Sequence, residues 1–351
     1  MIREKIIENV GIIYLDRSEI INSLNMEMVK DIENILKKWE DDKKIKAILF
    51  DSLCQKGFCA GGDLKAIYYD YFLNDKCQNK DEFYEEEFVL DRYVKDYKKP
   101  IISHYFGIVM GGGIGLTVNS DFIIADESVN WAMPETRLGF VPDVGVCWHI
   151  SKLPQAIGQY LGLCGESLSS SDLIKYDLAD IYVKSKDYEK VLNILFSLSK
   201  KYDGKKLIEE LKKQTQKYKV LESNSKISKN KEKIEKYFSH SSIEEIIKSL
   251  EENKDDDFAK KTLANLKERN LFMLALQFEK YFICKNLTKD QVFDLDLKIL
   301  KYARKTGTMK EGIRSLIIDK ESANWKEKSL DQVSVEKIKD LLGIEKLYKE
   351  R

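Results

Sequence analysis

The stretch VMGGGIGL, residues 109–116, sets three consecutive glycines between an apolar run and the start of a helical pattern. Upstream, IISHYFGIV has the β-branched, apolar character of a strand. Downstream, the glycine run continues as a helix through GLTVNS, and DFIIAD is the next strand. Glycine at a strand-to-helix junction leaves backbone N–H groups unhindered, where a negative charge can be held. A tight turn is the plainer reading, and the cluster alone leaves both open. It does establish a strand–helix–strand unit, which recurs along the first part of the chain. KIIENVGIIYLD predicts two short strands with a turn near Glu8 and Asn9. NMEMVKDIENILKKWEDD has apolar residues at 28, 32, 35, 36 and 39, the spacing of an amphipathic helix capped by Asn25. IKAILFDS predicts a buried strand, a short helix follows FCAGGD, and FYEEEFVLDRYVKDY predicts a longer helix. Such repeated units imply an α/β fold in which helices cover a parallel sheet.

Fourteen of the 18 glycines and all four prolines lie in the first 165 residues. Beyond them the chain is rich in Lys, Glu, Leu and Ile at helical spacing, as in KKLIEELKKQTQKYKVLE, SSIEEIIKSLEEN and FAKKTLANLKERN. The shift predicts an α/β core over 1–185 and a helical region over 186–351 that packs on it. SNSKISKNKEK, 223–233, is expected to be an exposed loop.

A chain of 351 residues can bury a sizeable core. Lys and Arg number 59, as do Asp and Glu, so no net basic surface points to nucleic acid or to a membrane. The lysine-rich middle is matched by acids and reads as solvated helix faces. No apolar run approaches the ~20 residues of a membrane span. The N-terminus reads as strand rather than signal or transit segment, so a cytoplasmic location is expected. The six cysteines, at 54, 59, 77, 147, 164 and 284, show no CxxC spacing and are expected to be reduced thiols. His104, His149 and His240 are isolated, and no metal site is expected. His104, close to the glycine cluster, is the one kept in view.

Two further segments bear on chemistry. GFCAGGDL, 57–64, repeats the pattern of small residues after a strand. One N–H from each glycine bend would make an oxyanion hole for an acyl carbonyl gaining charge. MPETRLGFVPDVGV, 133–146, puts Glu135 and Asp143 into a mostly apolar run, each directly after a proline. They either sit on exposed turns, where Pro-acid pairs are common, or face a cavity. Glu87 shares a helix face with Phe83, Leu90 and Val94 and so interrupts an apolar stripe. A buried acid is costly without a partner or a function; a glutamate at the stripe's edge can instead reach solvent.

With their spacing, VGIIYLDR, NSLNMEMV, FCAGGDL, MGGGIGL and MPETRLGFVPDVG resemble the crotonase, or enoyl-CoA hydratase/isomerase, superfamily. The resemblance implies a crotonase-like spiral of ββα units with a helical C-terminal extension. It implies a thioester oxygen held by the amides of Gly62 and Gly112, and a bent coenzyme A with its adenine near CAGGD. Hydratases of the superfamily commonly carry two glutamates, but the first of those positions is Gly115 here, which leaves Glu135. PETRLGFVPDVG instead looks like the 3-hydroxyisobutyryl-CoA hydrolases, and EGIRSLIIDKESANWKEKSL, 311–330, is similar to their extension.

By position, that resemblance implies substrate contacts at Glu87, Gly112, Glu135 and Asp143, with Glu135, Asp143, Gly62 and Gly112 forming the catalytic set. It implies hydrolysis of a short 3-hydroxyacyl-CoA, 3-hydroxyisobutyryl-CoA above others, and through it valine breakdown. No cofactor is expected beyond the coenzyme A of the substrate. The expected partner is the acyl-CoA itself, with neither nucleic acid nor membrane. Superfamily members often form trimers or hexamers, contacts that the helical extension can replace within one chain. Enoyl-CoA hydration or isomerisation, and non-catalytic acyl-CoA binding, stand as alternatives. Phe106, Ser18, Thr308 and Met309 depart from the subgroup's pattern, and Phe106 bears on acyl preference.

Overall fold

The turn expected at Glu8 and Asn9 joins two antiparallel strands, β1 (Ile2–Ile7) and β2 (Val10–Leu15), in the computed structural model, which describes residues 1–221 and 225–350. β2 then pairs in parallel with β3 (Ala47–Ser52), the first product of a strand–helix–strand unit. β4 (Gly57–Cys59) leaves that sheet, and β5 (Ile101–Tyr105) returns to it beside β3. β6 (Ile108–Met110), β7 (Phe122–Ala125), β8 (Asn130–Ala132) and β9 (Ile181–Tyr182) complete two sheets. One has the order β1-β2-β3-β5-β7-β9 and the other β4-β6-β8. In the larger sheet every pairing after β1 is parallel, as repeated strand–helix units require.

The described chain divides into two units that interleave along the sequence. The first comprises 1–63, 83–131 and 168–226, and the second 64–82, 132–167 and 227–351. The sequence places its boundary between 185 and 186, whereas the units follow packing rather than chain order. Helices Tyr188–Ser199 and Gly204–Thr215 bury Val191, Leu195, Leu207 and Leu211 in one cluster with Val10, Ile12, Leu49, Ile102 and Ile124 of the large sheet. These two charged-faced helices therefore belong to the sheet's own core.

Elsewhere in the first unit, helix Met26–Glu40 buries Met28, Ile32, Leu36 and Trp39, as its spacing predicts. The Asn25 side chain accepts from the Met28 amide at 2.9 Å. Trp39 lies against bare backbone, since a Cβ at Gly11 would fall 2.6 Å from the indole.

The second unit is mostly helical. Helix Gln155–Cys164 packs against Lys231–Phe238 and Leu271–Cys284. The stretch 223–233, expected as an exposed loop, is largely helical instead, with helices Lys226–Lys229 and Lys231–Phe238. Ile227 and Ile234 are buried. They sit on two separate helices, and one buried isoleucine in each is a signal too short to stand out among so many lysines. Residues 223 and 224 lie outside the described residues. Among the described residues, no helix is long and apolar enough to cross a membrane.

Asn22 ties three segments of the first unit together. It is fully buried, with φ at +55°, a conformation Asn tolerates better than most residues. Its Oδ1 accepts from the Arg17 amide at 2.7 Å, and its Nδ2 donates to Ser52 Oγ at 2.7 Å and to the Phe58 carbonyl at 2.8 Å. Asn22→Ala removes the partner of the half-buried Arg17 amide and of the buried Phe58 carbonyl. We expect it to lower unfolding free energy by about 2–4 kcal/mol, measured by urea titration. A loss below about 1 kcal/mol would mean the loop does not depend on this side chain.

Candidate active site

In the first unit the two glycine bends meet. Gly61 has φ at +98°, and a Cβ there would lie 3.4 Å from Gly111 Cα and 3.6 Å from the Gly112 nitrogen. Leu24 fixes the first bend: its amide donates to the Gly61 carbonyl and its carbonyl accepts from the Asp63 amide, both at 2.7 Å. Because Leu24 bonds the residues on either side of Gly62, the Gly62 amide points to the opposite side of the bridge. Asp63 is held in turn by Arg17, at 2.8 Å. The second bend turns at Gly111, whose φ of +49° with ψ of −127° needs glycine. The helix expected across GGGIGLTVNS is a single turn, Gly112–Gly115, so the donor is the amide itself rather than a long helix's dipole. Among the described residues, neither the Gly62 nor the Gly112 amide donates to a partner in the chain.

Glu87 comes to the same place. It is buried on helix Glu82–Lys95 together with Phe83, Leu90 and Val94, so the reading that it reaches solvent does not hold. Its Oε1 would lie 2.0 Å from a Cβ at Gly112, so no side chain fits at 112 while the carboxyl is there. That oxygen has no hydrogen-bond partner, and burial pushes the Glu87 carboxyl up to about 8. Sequence reasoning missed Asp91, four residues on and therefore on the same face. It is also buried, and burial followed by the Glu87 charge pushes it well above the usual carboxylate range. Spacing from Glu87 could have found it. Cys59 lies beneath the bends, its Sγ donating to the Asn22 carbonyl at 3.1 Å and accepting from the Gly61 amide at 3.4 Å.

The two acids that follow prolines are in the second unit, and both are buried, not on exposed turns. Glu135 opens the 3-10 turn Glu135–Leu138, which Gly139 ends at φ +79°. Its Oε2 is buried without a partner. Burial raises its carboxyl to about 8; its own amide, Lys280 and Arg269 pull it down, and Cys147 pushes it further up. Asp143 is 5% exposed. Lys280, Asp296 and Arg269, all buried, were not singled out from the sequence. Lys280 and Asp296 sit inside apolar helical runs, where a charge at a core position was the available signal.

His104 is structural. Its Nδ1 lies 3.0 Å from Asp51 Oδ1, and its ring stacks between Tyr188 and Phe106, with centroids at 3.5 and 4.7 Å. Tyr188 donates to the other Asp51 oxygen at 2.8 Å. Phe106, one of the departures noted in the sequence, thus covers the His104 ring. Burial holds His149 down to about 3 and so neutral. Among the described residues no three His, Cys, Asp or Glu side chains are grouped to hold a metal ion.

A family model described as enoyl-CoA hydratase/isomerase matches residues 10–342. The mitochondrial 3-hydroxyisobutyryl-CoA hydrolase of Xenopus laevis is 31% identical over 327 residues, 92% of this chain and 84% of that protein. The same-named protein of Gallus gallus is 32% identical, covering 93% and 84%, and that of Homo sapiens is 30% identical, also covering 93% and 84%. Among solved structures, an enoyl-CoA hydratase from Rhodobacter sphaeroides has a TM-score of 0.86 at 26% identity, covering 98% of this chain and 97% of that one. A carnitinyl-CoA dehydratase from Mycobacterium thermoresistibile has the same fold, with a TM-score of 0.86 at 24% identity over 97% and 96%. The expected spiral of ββα units with a helical extension is thus the fold observed.

The raised carboxyl at Glu87 makes stability depend on pH. Unfolded, it would titrate near 4.5; folded, it keeps its proton to about 8. The folded chain therefore binds the extra proton, so this group's contribution is complete below about 4.5 and is lost as pH rises through about 8. Glu87→Gln is neutral throughout. We expect its Tm to exceed that of the parent by several degrees at pH 8 and the two to converge at pH 5, followed by calorimetry. A difference independent of pH would place the Glu87 proton elsewhere.

Proposed function

This chain belongs to the enoyl-CoA hydratase/isomerase family, and from that premise we propose that it hydrolyses a short 3-hydroxyacyl-CoA, 3-hydroxyisobutyryl-CoA above others, to the free hydroxy acid and coenzyme A. The observation that carries this reading is Glu135. It is a buried carboxyl with an unpartnered oxygen, in a chain whose 30–32% identical relatives are named as hydrolases over more than nine-tenths of its length. Their match extends through the helical half, which a resemblance confined to the glycine bends would not do.

In this scheme the Gly62 and Gly112 amides polarise the thioester carbonyl and stabilise its developing oxyanion. One such donor is typically worth about 3 kcal/mol of barrier. Glu135 acts as the carboxylate by one of two routes. It attacks the carbonyl carbon, the C–S bond breaks, the thiolate takes up a proton, and water cleaves the resulting anhydride. Alternatively it takes a proton from water, which attacks directly. Both routes consume one water and return Glu135 unchanged. Asp143 binds the 3-hydroxyl, and Glu87, kept protonated by burial, is a hydrogen-bond donor to substrate or water. No cofactor takes part, since coenzyme A enters and leaves with the substrate. The reading also includes a cytoplasmic location and a place in valine breakdown, which cell fractionation and labelled valine respectively test.

The experiment is CoA release, followed with a thiol reagent, from a panel of short acyl-CoAs with and without a 3-hydroxyl. We expect the 3-hydroxylated esters to lead by ~10²-fold or more, because a site built for a hydroxyl leaves polar groups unpaired without one. Glu135→Gln should lower kcat by roughly 10³-fold or more. Because Glu135 works ionised and Glu87 protonated, kcat/KM should climb tenfold per pH unit on the acid side, peak near pH 8 and fall above it. Loss of enoyl absorbance with no free thiol would instead make the protein a hydratase.

A further inference from the structure

The loop that carries Asp143 is unusual in its backbone. Val144, a β-branched residue, has φ at +48°, where such side chains are rare, and Gly145 follows at +75°. A Cβ at Gly145 would lie 2.7 Å from the Phe293 ring. A conformation of this kind persists only where its surroundings impose it.

Two side chains of the C-terminal helices do so. Lys280, on helix Leu271–Cys284, donates from Nζ to the Pro142 carbonyl at 2.5 Å. Asp296, on helix Lys289–Thr306, accepts at Oδ2 from the Gly145 amide at 2.9 Å. The two charges meet each other, Nζ to Oδ1, at 2.5 Å, and neither side chain is exposed at all. The carbonyl just before Asp143 and the amide two residues after it are therefore tied to one buried ion pair. The Cys147 thiol adds a third tie, donating to the same Pro142 carbonyl at 3.3 Å. Burial opposes the Lys280 charge, but Asp296, with Cys147 and Cys284 beside it, outweighs that and keeps the ammonium protonated. Stability alone does not account for such a pair, because matched apolar side chains in place of a buried ion pair are often neutral or stabilising.

The geometry points to Lys280 and Asp296 as positioning residues that aim the Asp143 carboxylate and so set the preference for acyl groups bearing a 3-hydroxyl. The inference rests on the reading of Asp143 as the hydroxyl's partner. Lys280 also lies within electrostatic reach of Glu135. Glu135 serves hydroxylated and plain substrates alike, so the ratio of their rates isolates the loop.

The test is the double variant Lys280→Met/Asp296→Leu, which removes both charges at similar volume and avoids leaving one buried charge alone. Three measurements are made on the full chain. The first is kcat/KM for CoA release from 3-hydroxyisobutyryl-CoA and from isobutyryl-CoA. The second is amide exchange across 143–146. The third is the same pair of rates in Asp143→Asn, alone and on the double variant. We expect 10- to 100-fold loss with the hydroxylated ester and under threefold with the plain one. Exchange at 145 should quicken at least 100-fold, and Asp143→Asn should cost little more once the pair is gone. Lys280→Arg is expected to restore part of the preference. Equal loss on both substrates, or undiminished protection at Gly145, overturns the inference. A parent enzyme with no preference for the 3-hydroxyl, or Asp143→Asn with preference intact, refutes the substrate reading instead, and the exchange measurement still decides whether the pair holds the loop.

Discussion

The site of the first unit depends on a steric constraint: a carboxyl oxygen and a methyl group cannot occupy the same space. Glu87 reaches to within 2.0 Å of where a Cβ would stand at Gly112, and Gly61 packs against the same backbone. A bare Cα is needed at 112 for this closeness and at 61 for its φ of +98°. That approach presents the amides of 62 and 112 without partners and places a buried acid beside them. Asn22, Leu24 and Arg17 hold the arrangement, each bonding to backbone or to Asp63.

Burial sets the chemistry of the acids. Glu87 and Glu135 are both pushed to about 8, and in each case loss of water around the carboxyl is the leading cause. Their surroundings nevertheless differ. Glu87 has a second acid, Asp91, on its helix face, which favours the protonated form of both. Glu135 has Lys280 and Arg269 within electrostatic reach, which favour its carboxylate. One environment suits a proton donor and the other a base or nucleophile, the division of labour that general acid–base chemistry requires near neutral pH.

The C-terminal helices do more than lengthen the chain. Helices Leu271–Cys284 and Lys289–Thr306 bring a buried ion pair to the backbone around Asp143. Gly139 and Gly312 allow Thr308 and Leu138 backbone to approach in the same unit. Segments 132–167 and 227–351 therefore make one packed body, although they are far apart in sequence.

The sequence by itself determined the repeating strand–helix units, the parallel sheet they imply, the cap at Asn25 and the two glycine bends. These are local patterns, set by periodicity and by what glycine alone permits. It also singled out Glu87, Glu135 and Asp143, because an acid in an apolar stripe stands out against its neighbours. It misjudged 223–233, where lysines masked the buried Ile227 and the start of helix Lys231–Phe238. Tertiary structure decided that both acids following prolines are buried, that Asp91 joins Glu87, and that Lys280 and Asp296 pin the loop around Asp143. It also decided that helices 188–199 and 204–215 complete the core of the sheet. Desolvation and long-range charge pairing depend on which distant segments pack together, and no local pattern of residues carries that information.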